Sequence, residues 1–385
     1  MNFLVQTPHA WRGIHQRPHH LMKRFADAGE HVVWIEPRYL RWLLRRRSDF
    51  FRARNESPCP RLHVRPVTLV NGERFGPLRR FNQARIARAM VEPLTELPPE
   101  PTILWIYNPH EVHLADTVPH QLLVYDIMDE YRGFPWSPAR IAEEEAELLE
   151  RADWVFTGTR ALYEAKQARA PGRVECELSG VETDFFATSD GPPPPPLDRI
   201  VPRHRHVAGY AGMIDRRVDQ DLSRAAAAGL PEWAFVLIGP VVVDVSRLSA
   251  QPNVYLTGPQ PYTALPACYR TFDVALLPFI ESDLTRHINP TKMLEYAAAG
   301  RPIVARGLPE IVHFYARGAW LYETTPECIA HLRSISNAPF EALAPKLEVA
   351  RTWSAERSWD AIADRMLQRV TGLLDQRTPT TERCT

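Results

Sequence analysis

No stretch of this sequence approaches the roughly 18 consecutive apolar residues that a membrane-crossing helix needs, so an integral membrane protein is not expected. Met1 to Pro8 carries no basic residue ahead of its short apolar run, and no secretory signal is expected there. Cysteine is sparse: Cys59, Cys176, Cys268, Cys328 and Cys384 are scattered, without a Cys-x-x-Cys spacing. An odd, unclustered set points to reduced thiols in a cytoplasm and away from a disulfide framework or a structural zinc site. No G-x-G-x-x-G follows the first strand, which argues against a nicotinamide or flavin site. Lysine is nearly missing, with Lys23, Lys166, Lys292 and Lys346 the four present, a bias better ascribed to codon usage than to function. Net charge is absent too, but residues 1–90 hold 18 Lys+Arg against 6 Asp+Glu, and the remainder 28 against 40. A basic first quarter suggests an anionic partner such as a membrane surface, a lipid phosphate or an acidic sugar.

What is present is an ordinary globular composition, 45% hydrophobic and 24% charged over 385 residues, enough for two domains with full cores. Asn2 to Pro8 reads as a strand, Gln16 to Ala28 as a helix ending at Gly29, and Val32 to Pro37 as a second strand. This βαβ start predicts a parallel sheet. Further strands are expected at 62–69, 102–108, 121–127 and 154–157. The five-proline run Pro192 to Pro196 is a stiff spacer. It sets the expected division: a first domain over 1–186, a linker over 187–205, a second α/β domain over 206–352, and a closing helix over 353–377. The second domain has strands at 206–212, 234–239, 253–257, 273–279, 302–305 and 319–322.

Residues 38–54, RYLRWLLRRRSDFFRAR, interleave seven arginines with Tyr39, Trp42, Phe50, Phe51 and three leucines. Such a segment can lie on an anionic bilayer; the alternative is a core-packed helix with a solvated basic face. Nucleic acid is not an expected partner, because no binding motif accompanies the patch.

The second half is organised around residues 287–307, HINPTKMLEYAAAGRPIVARG. Asn289 and Pro290 end an irregular segment, and Thr291 is placed as the N-cap of a short helix. Gly300 stops that helix, since the position after a helix end favours glycine. A helix N-terminus offers N–H groups and partial positive charge to a phosphate. Lys292 in the first turn opposes the helix dipole unless an anion lies there. Glu295, three residues on and on the same face, can accept two hydrogen bonds from a vicinal diol such as a ribose. The competing reading is a buried turn with an incidental Lys–Glu pair.

Other candidates lie at strand ends. Gly209, Gly212 and Gly239 stand where backbone must approach a neighbour or a ligand. Arg216 and Arg217 could meet a diphosphate, or solvate a turn. Gly258 to Pro261 could edge a flat base pocket, or form a rigid turn. In the first half, YDIMDEY puts Asp126 and Asp129 at the carboxyl end of a strand, where open α/β sheets bind ligands. Either could orient an acceptor or take its proton, or simply cap and solvate the loop. His19 and His20 are alternative bases.

In order along the chain, HVAGYAGMIDRRVD, AFVLIGP, NVYLTGPQPYTALPACY, DVALLPF and NPTKMLEYAAAGRPIVA resemble the nucleotide-sugar domain of GT-B glycosyltransferases, most closely the family-four type. WRGIHQRPHHL, YDIMDEY and SGVETDFF look like a bacterial cell-surface polysaccharide branch. The resemblance implies an α/β GT-B fold: two Rossmann-like parallel α/β domains facing across a cleft, with the acceptor in the first, the donor in the second, and the last helix crossing back. Of the family's two glutamates, the second matches Glu295 and the first falls on His287, a departure. An early arginine falls on Met213, a second departure, while the next basic residue fits Arg216 or Arg217. Gly13 fits the place where the first loop nears the diphosphate.

The chemistry implied is transfer of a sugar from a nucleoside diphosphate to a hydroxyl of a glycan, a glycolipid or another cell-envelope acceptor. The departing diphosphate needs fixed positive groups, assigned to Lys292, Arg216 or Arg217 and the N–H groups near Thr291. Neither a metal nor a cofactor beyond the substrate is expected. The donor set is completed by Gly13, Gly212, Gly258, Pro261, His287, Asn289 and Glu295. Asp126, Asp129 and His19 are the candidate catalytic groups. The expected location is cytoplasmic, peripheral on the inner membrane face. A nucleotide-sugar epimerase and a silent sugar-binding scaffold are the alternatives.

Overall fold

The structure, a computed structural model, describes residues 1–12, 15–40, 56–72, 75–133, 137–188 and 191–377, with Glu56 and His287 described by their backbone alone. Gly13, residues 41–54 of the basic segment, the His287 side chain and the polar end of the chain lie outside the described residues. The chain divides into two compact units, Met1–Leu178 with Trp359–Thr385, and Ser179–Ser358.

The first unit is built on eight strands: β1 (Asn2–Gln6), β2 (His31–Tyr39), β3 (Glu56–Cys59), β4 (Leu62–Leu69), β5 (Thr102–Ile106), β6 (Leu122–Ile127), β7 (Trp154–Thr157) and β8 (Val174–Cys176). Their order is β3-β4-β2-β1-β5-β6-β7-β8. The described pairs are parallel except the edge pair β3–β4. Side chains alternate between two cores. Phe3, Val5, Trp34 and Trp105 enter one, and Leu4, Val33, Ile35 and Leu104 the other, as a sheet covered on both faces requires.

The second unit has six parallel strands: β9 (His206–Ala211), β10 (Trp233–Ile238), β11 (Val254–Gly258), β12 (Val274–Leu277), β13 (Ile303–Arg306) and β14 (Trp320–Tyr322). They lie in the order β11-β10-β9-β12-β13-β14. The chain runs outward from β9 to β11, then returns to β12 on the other side. In each sheet the first strand is therefore a switch point, beside β5 in the first unit and β12 in the second. Crevices at the carboxyl ends of strands open at such points.

The division expected from the proline run does not hold as drawn. Leu197 and Ile200 sit in the core of the second unit, and Gln260 Nε2 donates to the Pro195 carbonyl at 3.0 Å. Residues 187–205 therefore include packed structure of that unit. Val181 to Phe186 also belong there. Phe185 stacks on Tyr262 and Phe186 on Tyr269, Thr183 Oγ1 donates to the Ser354 carbonyl at 2.6 Å, and Val181 N–H donates to the Arg357 carbonyl at 3.0 Å. The single closing helix is two, Phe340–Glu356 and Trp359–Arg377, and the chain passes between units in the interval. No helix among the described residues is long and apolar enough to cross a membrane.

Candidate functional site

In the second unit, the helix Thr291–Ala298 follows β12. Its N-cap is Pro290, not Thr291, with no side-chain cap, because proline's fixed φ suits a helix entry. Thr291 is thereby released to turn inward, and its Oγ1 lies 3.4 Å from Glu295 Oε1. At the other end Gly300 has φ +66°, the left-handed stop expected of it.

Lys292 Nζ donates to both Glu295 oxygens, at 2.9 and 2.8 Å. Tyr269 Oη donates to Glu295 Oε2 at 2.6 Å. Glu295 is buried while the Lys292 side chain keeps 24% of its exposure. A carboxylate held by a buried phenol, with an ammonium opening to solvent beside it, is a preorganised pair: the acid can take a diol and the cation an anion. Tyr296, on the same helix, accepts from the Ala211 N–H at 2.9 Å. This ties the helix to the end of β9.

That end is floored by glycines. A Cβ on Gly239, φ +148°, would sit 1.9 Å from the Gly212 carbonyl oxygen, and the Gly239 N–H donates to the Gly258 carbonyl at 3.0 Å. Gly212, Gly239 and Gly258 thus bring the ends of β9, β10 and β11 together, with Pro261 in the turn beyond. Asn289 Oδ1 accepts from Tyr315 Oη at 2.7 Å, while its buried Nδ2 has no protein partner. This is the sort of orphan donor that a ligand oxygen would satisfy. The two arginines differ. Arg216 is exposed, whereas Arg217 pairs with Asp215 at 2.7 Å and lies 5.9 Å over the Phe279 ring. Its charge is already met, so Arg216 is the better group for a diphosphate.

In the first unit two of the three candidate bases are corrected. Asp126 ends β6 fully buried, accepting from Arg17 Nε at 3.0 and 3.1 Å. Arg17 Nη1 donates on to the Glu177 carbonyl at 2.7 Å. Asp126 is therefore a structural counter-ion. His19 is also engaged at both nitrogens: the Gln16 N–H donates to Nδ1 at 3.2 Å, and Nε2 meets the Ala10 carbonyl at 3.0 Å. It shapes the loop after β1, together with Glu36, which accepts from the Trp11 N–H at 3.0 Å. Asp129 is exposed on the loop after β6. Glu130 anchors that loop through Lys166 at 2.9 Å and Arg132 at 3.0 Å. Among the described residues no three His, Cys, Asp or Glu side chains gather as a metal site requires.

Burial lowers His19 to about 4 and His20, stacked on Trp359, to about 3. An unfolded histidine titrates near ~6.5. Above that pH neither state binds the proton. As pH falls below it, the unfolded chain takes up protons that the folded chain refuses, so stability drops by up to about 1.4 kcal/mol per pH unit for each histidine. Urea midpoints are expected to fall steadily from pH 6.5 towards 4, and His20→Phe to make that slope shallower. Equal slopes would remove the role of His20.

Residues 205–334 match the family model for glycosyl transferases group 1. The matched stretch lies inside the second unit and covers about a third of the chain. The "Putative teichuronic acid biosynthesis glycosyltransferase TuaH" of Bacillus subtilis is 30% identical over 178 residues, 44% of each chain. The match therefore spans less than half of that relative's length. Among solved structures, sucrose-phosphate synthase from Thermosynechococcus elongatus aligns at TM-score 0.72 and 16% identity, over 97% of this chain and 99% of that one. A UDP-forming α,α-trehalose-phosphate synthase from Burkholderia vietnamiensis aligns at 0.70 and 12%, over 96% of each. Anabaena HepE in complex with UDP and glucose aligns at 0.68 and 13%, over 97% and 100%. At these identities the likeness shows the fold, and the fold is GT-B.

Sequence reasoning missed Tyr269, Tyr296 and Tyr315, the phenols that position Glu295, the β9 end and Asn289. Each looks like an apolar core residue in the sequence. The available signal was that a buried tyrosine must find a partner for its hydroxyl, which identifies no partner.

Proposed function

We propose that this protein is a glycosyltransferase that takes a sugar from a nucleoside-diphosphate donor, UDP-linked by analogy with its structural neighbours. The acceptor is a hydroxyl of a cell-envelope glycan or glycolipid, and the work is done at the inner face of the membrane. The observation that carries the reading is the Lys292–Glu295–Tyr269 cluster at the head of the helix Thr291–Ala298, beside a sheet switch point and inside the matched domain.

Glu295 holds the ribose diol, and Lys292, Arg216 and the N–H groups near Thr291 face the diphosphate. Asn289 Nδ2 gains an oxygen acceptor. The glycines at 212, 239 and 258 leave room for the nucleotide to approach the backbone, and the turn to Pro261 edges the base. As the anomeric bond breaks, the leaving diphosphate gains charge, and these fixed donors stabilise it without reorganising. They also make a metal unnecessary. Asp129 is the remaining candidate to receive the acceptor proton, since Asp126 and His19 are committed elsewhere. The polysaccharide setting is supported by the named role of the Bacillus relative and by the basic segment 38–54.

The test is incubation of the purified protein with a panel of UDP- and GDP-sugars plus membrane-extracted acceptors, in excess EDTA. Nucleoside diphosphate release with labelled acceptor is expected. An epimerised donor, or binding without turnover, would replace the reading with an epimerase or a silent scaffold. Loss of transfer in EDTA alone would remove the metal independence.

A further inference from the structure

The helix Gly76–Val91 covers β2 and β4 of the first unit through Ile86, Ala87 and Met90, which share a core with Val33, Ile35, Val67 and Leu69. Its outer side is unusual. Pro77, Arg80, Phe81, Ala84, Arg85 and Arg88 are exposed, and at 3.6 residues per turn they form one stripe. Phe81, in mid-stripe, is 49% exposed, with the Arg85 guanidinium 5.7 Å over its ring. Phe75, the N-cap residue, is 62% exposed. The helix holds Arg79, Arg80, Arg85 and Arg88 and not one carboxylate; Arg88 pairs with Glu92 of the C-cap at 2.7 Å, which leaves Arg80 and Arg85 as the cations of the stripe. Arg79 and Arg80 lie near the amino end of the helix, where the dipole disfavours them.

Asn82, buried in the helix, accepts from the Val70 N–H at 2.9 Å and donates to the Val70 carbonyl at 2.8 Å, which ties the helix to the end of β4. One exposed phenylalanine on a soluble protein needs no explanation. Two on a carboxylate-free, arginine-rich helix call for a partner that is apolar and anionic together. The boundary between acyl chains and anionic headgroups meets both needs, with rings entering the boundary and guanidinium groups meeting phosphates.

We infer that the outer stripe of the helix Gly76–Val91, with Phe81 beside Arg80 and Arg85 and with Phe75 exposed at the helix start, seats the first unit on an anionic bilayer. The inference rests on the membrane placement proposed above, and names a surface separate from residues 38–54.

The experiment is co-sedimentation of the full chain with phosphatidylcholine vesicles, with and without phosphatidylglycerol. Wild type is expected to bind the anionic vesicles and not the neutral ones. Phe75→Ser with Phe81→Ser should weaken the partition coefficient about tenfold, equivalent to about 1.4 kcal/mol. Arg80→Glu with Arg85→Glu should do the same and flatten the salt dependence. All four positions are exposed, so the melting temperature and UDP affinity should stay at wild-type values, which certifies the fold. Absence of wild-type binding would overturn both the face and the membrane placement. Unchanged binding in the phenylalanine variant, alongside loss in Arg45→Glu/Arg46→Glu/Arg47→Glu, would overturn this face and leave the placement standing. Loss in the arginine variant without loss in the phenylalanine variant would mean polyanion attraction, and would also overturn it.

Discussion

Lys292→Ala is expected to lower kcat/KM for the sugar donor by about a hundredfold or more, the range seen when one preorganised donor to a developing anion is removed. The melting temperature should barely move. Lys292 keeps 24% of its side-chain exposure and sits where the helix dipole disfavours a cation. Glu295 keeps its bond from Tyr269, so no buried carboxylate is orphaned. Glu295→Ala should act differently, raising donor KM at least about tenfold as the two bonds to the ribose are lost. Tyr269→Phe retains the stacked ring on Phe186 but leaves Glu295 Oε2 with Lys292 alone, and should fall between wild type and Glu295→Ala in KM with kcat nearly kept. Steady-state kinetics with varied donor, read beside thermal melts, separate these outcomes. Wild-type constants in both Lys292→Ala and Glu295→Ala would end the assignment of this helix to the donor.

The same sequence argument that singled out Lys292 shows how far sequence carries. A cation in the first turn of a helix asks for an anion, and Arg17 and Lys292 are two such cases. At Arg17 the anion is Asp126, supplied by the protein from 109 residues away. At Lys292 it is Glu295 in the same helix, an acid that the pattern also reserves for a diol. Local pattern shows that a charge needs a partner; it does not show whether that partner is a side chain or a ligand. The parallel sheets were legible because strands alternate with helices along the chain. The unit boundary was not. Proline marks a stiff segment whether it bridges domains or packs on one, and the burial of Leu197 and Ile200 depends on the partners they meet. The break at 357–358 within the expected closing helix falls at the unit boundary and has no proline or glycine to mark it.

Asp126→Ala is expected to lower the stability of the first unit by about 3–5 kcal/mol, because it leaves the Arg17 guanidinium buried without its counter-charge. Arg17 and Asp126 keep 2% and 0% of their side-chain exposure. Burial alone pushes the Asp126 carboxyl up, and the adjacent guanidinium opposes that. The pair also sits at a junction: Arg17 reaches the Glu177 carbonyl, and Glu177 in turn binds Arg365 of the last helix at 2.8 Å. Loosening it should therefore lower the urea midpoint of the transition that reports the first unit and leave the second unit's donor affinity unchanged. The double variant Arg17→Met/Asp126→Leu removes both charges at once and should recover most of the loss, as apolar replacements of buried pairs do. Asp129→Asn serves as the counterpart, with stability expected to hold and kcat to fall. The reverse pattern, in which Asp126→Ala folds as well as wild type but loses turnover while Asp129→Asn is fully active, would return the catalytic role to Asp126 and show that the ion pair with Arg17 opens during the reaction.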